Sequence, residues 1–243
     1  IATLPFLGPY VIAPITIKYG ANDEQKERVL NEMSQNLINF GIGFSEYFGS
    51  RDSSGLSFED DMVTGRTLFV LDTDYASHVM LCDKEGKVGF VSLDSEGIEI
   101  IDLITVDKTR TYKEMNFKNT PIEILENTKS SSMAIEMALN AGRIITAADS
   151  IGAAQAMINK AVEYSKERKQ FNRVIGSFQA VKHMCAEMSA ELEPCYSLVW
   201  HAAHSFDESN EDSKLMSCLA KSHISEVSKM VSKKATEVHG GMG

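Results

Sequence analysis

An α+β fold is what this sequence predicts: a β-rich middle segment, closed as a sandwich or barrel, followed by a bundle of long helices. Three observations lead there. Residues 39–128 carry short apolar runs separated by clusters of Gly, Asp, Ser and Asn, the spacing of strands and tight turns. From residue 129 the period changes, and apolar side chains recur at steps of three and four, as on one helix face. Strands and helices are segregated rather than alternating, which argues against a nucleotide-binding parallel sheet.

The elements follow in order. Residues 1–38 read as helical, with breaks expected at Pro5, Pro9 and Pro14. Asn22 followed by Gln25 fits a capping box opening a helix through Val29, Leu30 and Met33. The apolar runs 41–44, 67–71, 78–82, 88–93, 98–103 and 114–117 read as strands of an antiparallel sheet. Met133, Met137, Ala141, Ile144, Ala148, Ile151 and Gln155 mark the first long helix, starting near Ser130 and running to about Arg168 without a proline. A loop at Asn172–Gly176 precedes Ser177, a favoured N-cap residue. The next helix places Val181, Met184, Met188, Leu192 and Cys195 on one face, and Pro194 should kink it. The polar loop Asp207–Asp212 leads to a third helix, stopped by His239-Gly240-Gly241. Three long helices read as most of a bundle, with a fourth expected beyond Gly243.

Composition narrows the function. In 243 residues, 24 basic side chains face 34 acidic ones, a net charge of −10. That argues against nucleic acid, whose partners carry a basic face, and against an anionic membrane surface. No apolar run is long enough to span a bilayer. The start at Ile1 has neither an initiator Met nor a signal-peptide layout, so the chain is expected to begin inside something longer or to be trimmed. Cys82, Cys185, Cys195 and Cys218 are scattered, form no C-x-x-C pair and suit a reduced, cytoplasmic protein without a metal site.

Few residues announce chemistry. The sequence has no nucleophile elbow, P-loop, zincin motif or dinucleotide fingerprint after a strand. One candidate is Glu167-Arg168-Lys169-Gln170-Phe171, where a guanidinium offers a fork for phosphate oxygens and Phe171 a flat face for a heteroaromatic ring. Alone it reads first as a solvated helix end with Phe171 as an aromatic plug. The other is His239-Gly240-Gly241-Met242-Gly243, whose small residues let a ligand approach the backbone. Alone that is a helix cap and turn.

Together these pieces resemble the acyl-CoA dehydrogenase family: Arg168-x-Gln170-Phe171, then Ile175-Gly176-x-Phe178-Gln179, then His239-Gly240-Gly241-x-Gly243. Upstream, Tyr19-Gly20-x4-Gln25-Lys26 resembles the family's lead into its middle domain, and Phe44-Ser45-Glu46-x5-Asp52 its flavin-contacting loop. The run from Ile175 to His183, with Leu192-Glu193, resembles most the bacterial subunits that assemble as unlike-subunit α2β2 tetramers for bulky acyl-CoA thioesters, steroids among them. The resemblance implies that residues 1–38 end an N-terminal helical domain largely absent here, that 39–128 form the β middle domain and that 129–243 form an incomplete C-terminal bundle. It implies FAD as cofactor, oxidation of an acyl-CoA to the α,β-enoyl-CoA, and electrons passed to an electron-transfer flavoprotein. It implies that Arg168, Phe171, Ile175, Phe178, Gln179, Glu237, Gly240 and Gly241 meet the FAD of a neighbouring subunit. Ser45 and the strand Phe69, Val70, Leu71 would touch the flavin ring of the chain's own site, and Arg143 the substrate end of the first bundle helix. The partner is a homo- or hetero-tetramer with another such subunit.

Departures from the family pattern shape the reading. The usual Thr-Glu-Pro-Gly-x-Gly-Ser-Asp loop is Ser45-Glu46-Tyr47-Phe48-Gly49-Ser50-Arg51-Asp52, with two aromatics where a tight turn is expected. Leu71 stands where a hydroxyl is usual, and Glu237 where a Gln is, an acid facing a pyrophosphate. The catalytic base is expected beyond Gly243 or on a partner. Relatives that carry it earlier place it at Gly142, and Asp149 is the nearest carboxylate on that face. Two further readings are a subunit that lends only the ADP-side clamp and a cofactor-free helical scaffold.

Overall fold

The computed structural model describes residues 6–49, 54–129, 132–208 and 211–243. Pro5, Ser50, Arg51, Asp52, Ser130 and part of the loop Asp207–Asp212 lie outside the described residues. Two compact units divide the chain, one ending at Gly142 and the other beginning at Arg143.

The first unit opens with a helical run. Pro9 and Pro14 do not break it: a wide turn at Gly8–Ile12 passes directly into α1 (Ala13–Gly20), and Ile12 and Ala13 keep helical dihedrals. The N–H of Ala13 reaches back five residues to Gly8 O, so the widened turn accommodates Pro14, which has no N–H to give and a bulky ring. Helix α2 (Asp23–Ser34) starts with the predicted capping box: Asn22 Oδ1 accepts from Gln25 N–H at 2.8 Å, and Gln25 Oε1 accepts from Asn22 N–H at 3.3 Å.

The strands are β1 (Phe40–Gly43), β2 (Gly55–Glu59), β3 (Met62–Leu71), β4 (His78–Cys82), β5 (Val88–Ser92), β6 (Ile98–Asp102), β7 (Tyr112–Pro121) and β8 (Glu123–Ile124). They form one sheet in the order β6-β7-β3-β1-β4-β5-β8, with β2 paired to β3. The purely antiparallel expectation fails at one place. β1 runs parallel to β4, from Phe40 against His78 to Gly43 against Leu81, and antiparallel to β3. Strand β1 slots between β3 and β4, which follow each other in the chain. The strand β2 had no prediction. Its Leu56 and Phe58 alternate into the core, and its turn to β3 uses Asp60 and Asp61 at φ 47° and 56°, the mirror-image turn that suits strand twist.

Period-two alternation sorts β4 onto two cores. Met80 and Cys82 join α1, α2, Phe40 and Phe90 on one face, together with Ile135 and Ala138. Val79 and Leu81 face the other, with Val63, Val70, Met115 and Phe117. Two register shifts of β3 against β7 bend the sheet round this second core. At the first, a Cβ on Gly65 (φ 122°) would lie 2.0 Å from Gly55 O, so only glycine fits there.

Helix α3 (Met133–Glu167) begins in the first unit and continues into the second. The second unit adds a hairpin of β9 (Lys169–Gln170) and β10 (Arg173–Val174), then α4 (Gln179–Asp207) and α5 (Ser213–His239). Ser177 is not the N-cap: its hydroxyl donates to Val174 O at 2.7 Å and closes a short 3-10 turn, which leaves Phe178 as the cap residue. α4 continues through Pro194 to Asp207. On α5, Ser213, Ser217, Ala220, Ile224, Val227, Val231, Ala235 and Val238 are buried at steps of three and four, one seam against α3 and α4 residues such as Ile158, Met188 and Leu192. Among the described residues no helix is long and apolar enough to cross a membrane.

Candidate functional site

Candidate residues gather in two places, one in each unit. In the first unit a cavity of about 210 Å³ is lined by Ser45, Glu46, Phe48, Gly49, Ser54, Leu68 and Phe69. Two local devices build it. A short 3-10 turn, Ser45–Phe48, follows β1 and ends at Gly49. The second register shift of β3, between Thr67 and Val70, forces Phe69 to φ 56° and turns its ring outward, 44% exposed. A left-handed backbone at a bulky residue is costly, about 1–3 kcal/mol, and such strain concentrates at functional positions.

The floor of this cavity is polar. Ser45 Oγ donates to Leu68 O at 2.6 Å and lies 3.4 Å from Thr67 Oγ1. Glu46 is 2% exposed, and its two oxygens accept from Ser45 Oγ at 3.3 Å and Ser54 Oγ at 3.0 Å. The rim is aromatic: Phe48 is exposed and meets Tyr47 edge-on, while Tyr47 packs towards the helical core. Of the predicted strand residues only Phe69 lines the cavity. Val70 is fully buried in the sheet core, and Leu71 packs against the core shared with α1 and α2.

A second cavity in this unit, about 460 Å³, holds none of the predicted residues. Pro9, Tyr10, Met33, Phe40 and Tyr75 line it, with one carboxylate, Asp72. Asp72 sits at φ 60° and accepts the Gly8 N–H at 2.8 Å. Burial pushes its carboxyl above the usual range, against the lowering effects of that hydrogen bond and of Arg110.

In the second unit the remaining candidates meet at one end of the bundle. The Arg168 N–H donates to Tyr164 O at 2.9 Å, and Ile175 N–H to Arg168 O at 2.8 Å, so Arg168 and Ile175 adjoin. Arg168 is exposed and makes no side-chain ion pair among the described residues. The hairpin turn is Phe171-Asn172 at φ 52° and 60°, another strained phenylalanine, and its ring is 87% exposed. Phe171 stands edge-on to Phe178, with centroids 6.0 Å apart. Arg173, which sequence reasoning did not single out, lies 3.9 Å above the Phe178 ring as a cation–π pair. Gln179 Nε2 lies 3.1 Å from His183 Nε2.

The stop of α5 reaches the same end. His239 stacks on Tyr164, centroids 4.6 Å apart, and its Nδ1 contacts Ala235 O at 2.7 Å. Gly240, at φ 61°, and Gly241 follow, and a Cβ built on either meets nothing within 4 Å. The backbone there faces open space, a cradle for an incoming group. Glu237 points along α5 into a hollow shared with Lys229, Lys233 and Lys234, so cations do stand beside this acid. Arg143, on α3, is half-buried and lines neither cavity of the first unit; Asp149 is exposed.

This architecture, a bulged sheet with long helices and an Arg-Phe hairpin beside a Gly-Gly stop, has relatives. Residues 132–243 match the family described as acyl-CoA dehydrogenase, C-terminal domain. The chain is 33% identical over 179 residues to the caffeyl-CoA reductase-Etf complex subunit CarC of Acetobacterium woodii, covering 74% of this chain and 43% of that one. It is 29% identical over 241 residues to a 3-(aryl)acrylate reductase of Clostridium sporogenes, covering 91% and 63%. The fold superposes on butyryl-CoA dehydrogenase from Megasphaera elsdenii with TM-score 0.86 and 22% identity, covering 97% of this chain and 66% of that one. The chain belongs to the acyl-CoA dehydrogenase family, and it spans less than two thirds of the length of these relatives.

Proposed function

We propose that the chain is part of a subunit of an FAD-dependent acyl-CoA dehydrogenase that oxidises an acyl-CoA thioester to the enoyl-CoA and passes electrons to an electron-transfer flavoprotein. The observation that carries this reading is the end of the bundle. There an exposed guanidinium, a displayed aromatic ring and two glycines with open space around them converge. That donor set fits a dinucleotide: Arg168 for a pyrophosphate, Phe171 and Phe178 as flat apolar surfaces, and Gly240 and Gly241 for close backbone approach. Ile175 and Gln179 complete the contact surface. In the first unit Ser45 and Phe69 fit the edge of a flavin ring. Bound FAD supplies the hydride acceptor. The chain's own residues bind and orient: Arg168 offsets phosphate charge, Phe69 and Phe48 shield the ring edge from water, and the family resemblance assigns Arg143 to the substrate end of α3.

The domain scheme 1–38, 39–128 and 129–243 belongs to the same proposal, as does assembly with a second acyl-CoA dehydrogenase-like subunit. One observation favours a division of labour between unlike chains. The Ser45 proton is already given to Leu68 O and Leu71 is packed into a core, so this chain's own ring site has few donors left, while its ADP-side clamp is open. The names of the two relatives, both reductases, support the same hydride transfer run in reverse on an unsaturated aryl substrate.

The test is the visible spectrum and FAD content of the full-length protein, purified alone and co-expressed with a neighbouring subunit of the family. Flavin bands near ~450 nm are expected. Saturated and unsaturated acyl-CoA substrates then assign the direction. A colourless protein in both preparations would refute the proposal.

A further inference from the structure

We infer that Glu46 is a positioning residue, whose buried carboxylate clasps Ser54, just before β2, to the turn that Ser45 opens and makes the cavity floor a set of hydrogen-bond acceptors. A carboxylate is costly to bury unless both oxygens are hydrogen-bonded. Glu46 is 2% exposed, yet it sits on the wall of a cavity; Ser54 donates to one oxygen at 3.0 Å, and Ser45 shares its single proton between the other oxygen and Leu68 O. Ser45 begins the 3-10 turn, and Ser54 immediately precedes β2. The Glu46–Ser54 bond therefore joins two positions eight residues apart, and Phe48 of the rim lies between them in the sequence.

The second consequence follows from counting protons. Ser45 has one hydroxyl proton, and a carbonyl can only accept, so the 2.6 Å contact with Leu68 O takes it. Its longer contact with Glu46 Oε1 competes for that same proton. Ser45 then presents only lone pairs to the cavity, beside a carboxylate that also only accepts. Such a floor suits a ligand edge that carries N–H groups and disfavours one that gains negative charge. On the flavin reading above, on which this step rests, the Glu46 charge opposes electron gain by a ring held there and lowers its reduction potential.

The experiment uses the full-length protein with its bound FAD and any partner subunit. Trypsin cleavage after Arg51, which falls between Glu46 and Ser54 in the sequence, reads the clasp without reference to flavin. Glu46→Ala and Ser54→Ala should each speed that cut severalfold, and Glu46→Gln, which keeps one acceptor, should do so less. Spectroelectrochemical titration reads the charge: Glu46→Gln should move the flavin midpoint to a more positive value and shift its visible band, whereas Ser54→Ala, which keeps the carboxylate, should not raise it. Equal cleavage in all variants overturns the clasp. A loaded Glu46→Gln protein with the wild-type midpoint overturns the electrostatic role. Wild-type protein that takes up no FAD refutes the flavin reading instead and leaves the cleavage comparison to decide the clasp. Should Glu46→Ala fail to fold, Ser54→Ala carries the same cleavage test.

Discussion

Replacing Gln25 with Ala removes more than a helix cap. In the structure its side chain makes four hydrogen bonds: Oε1 accepts from the N–H groups of Asn22 at 3.3 Å and Glu126 at 3.1 Å, and Nε2 donates to Glu123 Oε1 at 3.2 Å and Ile124 O at 2.9 Å. It therefore ties the start of α2 to β8 and to the turn after it, across about a hundred residues of sequence. At about 0.5–1.5 kcal/mol each the bonds sum to roughly 2–6 kcal/mol, and the lower half applies because water replaces partners at a part-buried site. Asn22→Ala is the control. It deletes only the acceptor for the Gln25 N–H, a capping loss of about 1 kcal/mol. Thermal denaturation of the two variants against wild type gives the ratio, with each kcal/mol worth about 2–4 °C at this chain length. Gln25→Ala should lower Tm by at least twice as much as Asn22→Ala. An equal or smaller shift would show that Gln25 contributes only its capping contact, and that α2 is held to β8 by apolar packing.

Other outcomes follow from the same geometry. Arg168→Ala should weaken FAD retention about tenfold, the lower end for a charge-assisted bond because the guanidinium is exposed, with circular dichroism of the bundle unchanged. Asp72→Asn keeps an acceptor for the Gly8 N–H and removes a charge that burial disfavours. Because the folded Asp72 holds its proton more tightly than the unfolded one, its contribution is most favourable at acid pH and is lost as pH rises through the raised folded value. The Asn variant should therefore be the more stable at pH 7, with the gain fading as pH falls to the ordinary aspartate value of 3.8, read by urea unfolding at both pH values. Ile224→Ala, at a fully buried seam position on α5, should cost about 2–5 kcal/mol in the same assay. If unlike chains divide the site, the co-expressed assembly should carry fewer FAD than subunits, measured by absorbance against mass; one FAD per chain in a homotetramer purified alone would contradict that.

Local chemistry was legible and long-range pairing was not. The Asn22–Gln25 box and the Gly240 stop each rest on neighbours a few residues apart, so the sequence pattern carries them. The insertion of β1 between β3 and β4 depends on strands that share no turn, and nothing within either strand records it. The prolines misled for a related reason: Pro14 is normally a break, but the wider turn at Gly8–Ile12 accommodates it, and that widening is a matter of backbone hydrogen bonds. In the site, Arg168 and Phe171 stood out by residue type. The Glu46–Ser54 bond and the Arg173–Phe178 pair did not, because they depend on loop closure and on the turn of the hairpin. Phe69, Val70 and Leu71 were singled out together, but the register shift turns Phe69 to the cavity and the same strand sends Val70 and Leu71 into the cores.

The two phenylalanines define what the halves have in common and where they differ. Phe69 and Phe171 both hold left-handed backbones that a β-branched or bulky residue adopts only under constraint, and both display their rings to solvent. For a stable core either ring would be better placed inside, so the strain and the exposure together point to a surface awaiting a flat partner. Around Phe69 the polar groups are a carboxylate and serine oxygens whose protons are spent, an environment that accepts hydrogen bonds. Around Phe171 they are the guanidinium groups of Arg168 and Arg173, an environment that donates them and carries positive charge. A flavin dinucleotide has this asymmetry built in: a ring edge with an N–H at one end and an anionic pyrophosphate towards the other. One half of the chain suits the first feature and the other half suits the second. An assembly that lets two chains share each cofactor uses both halves, and a chain that kept only one of them would still have a reason to keep it.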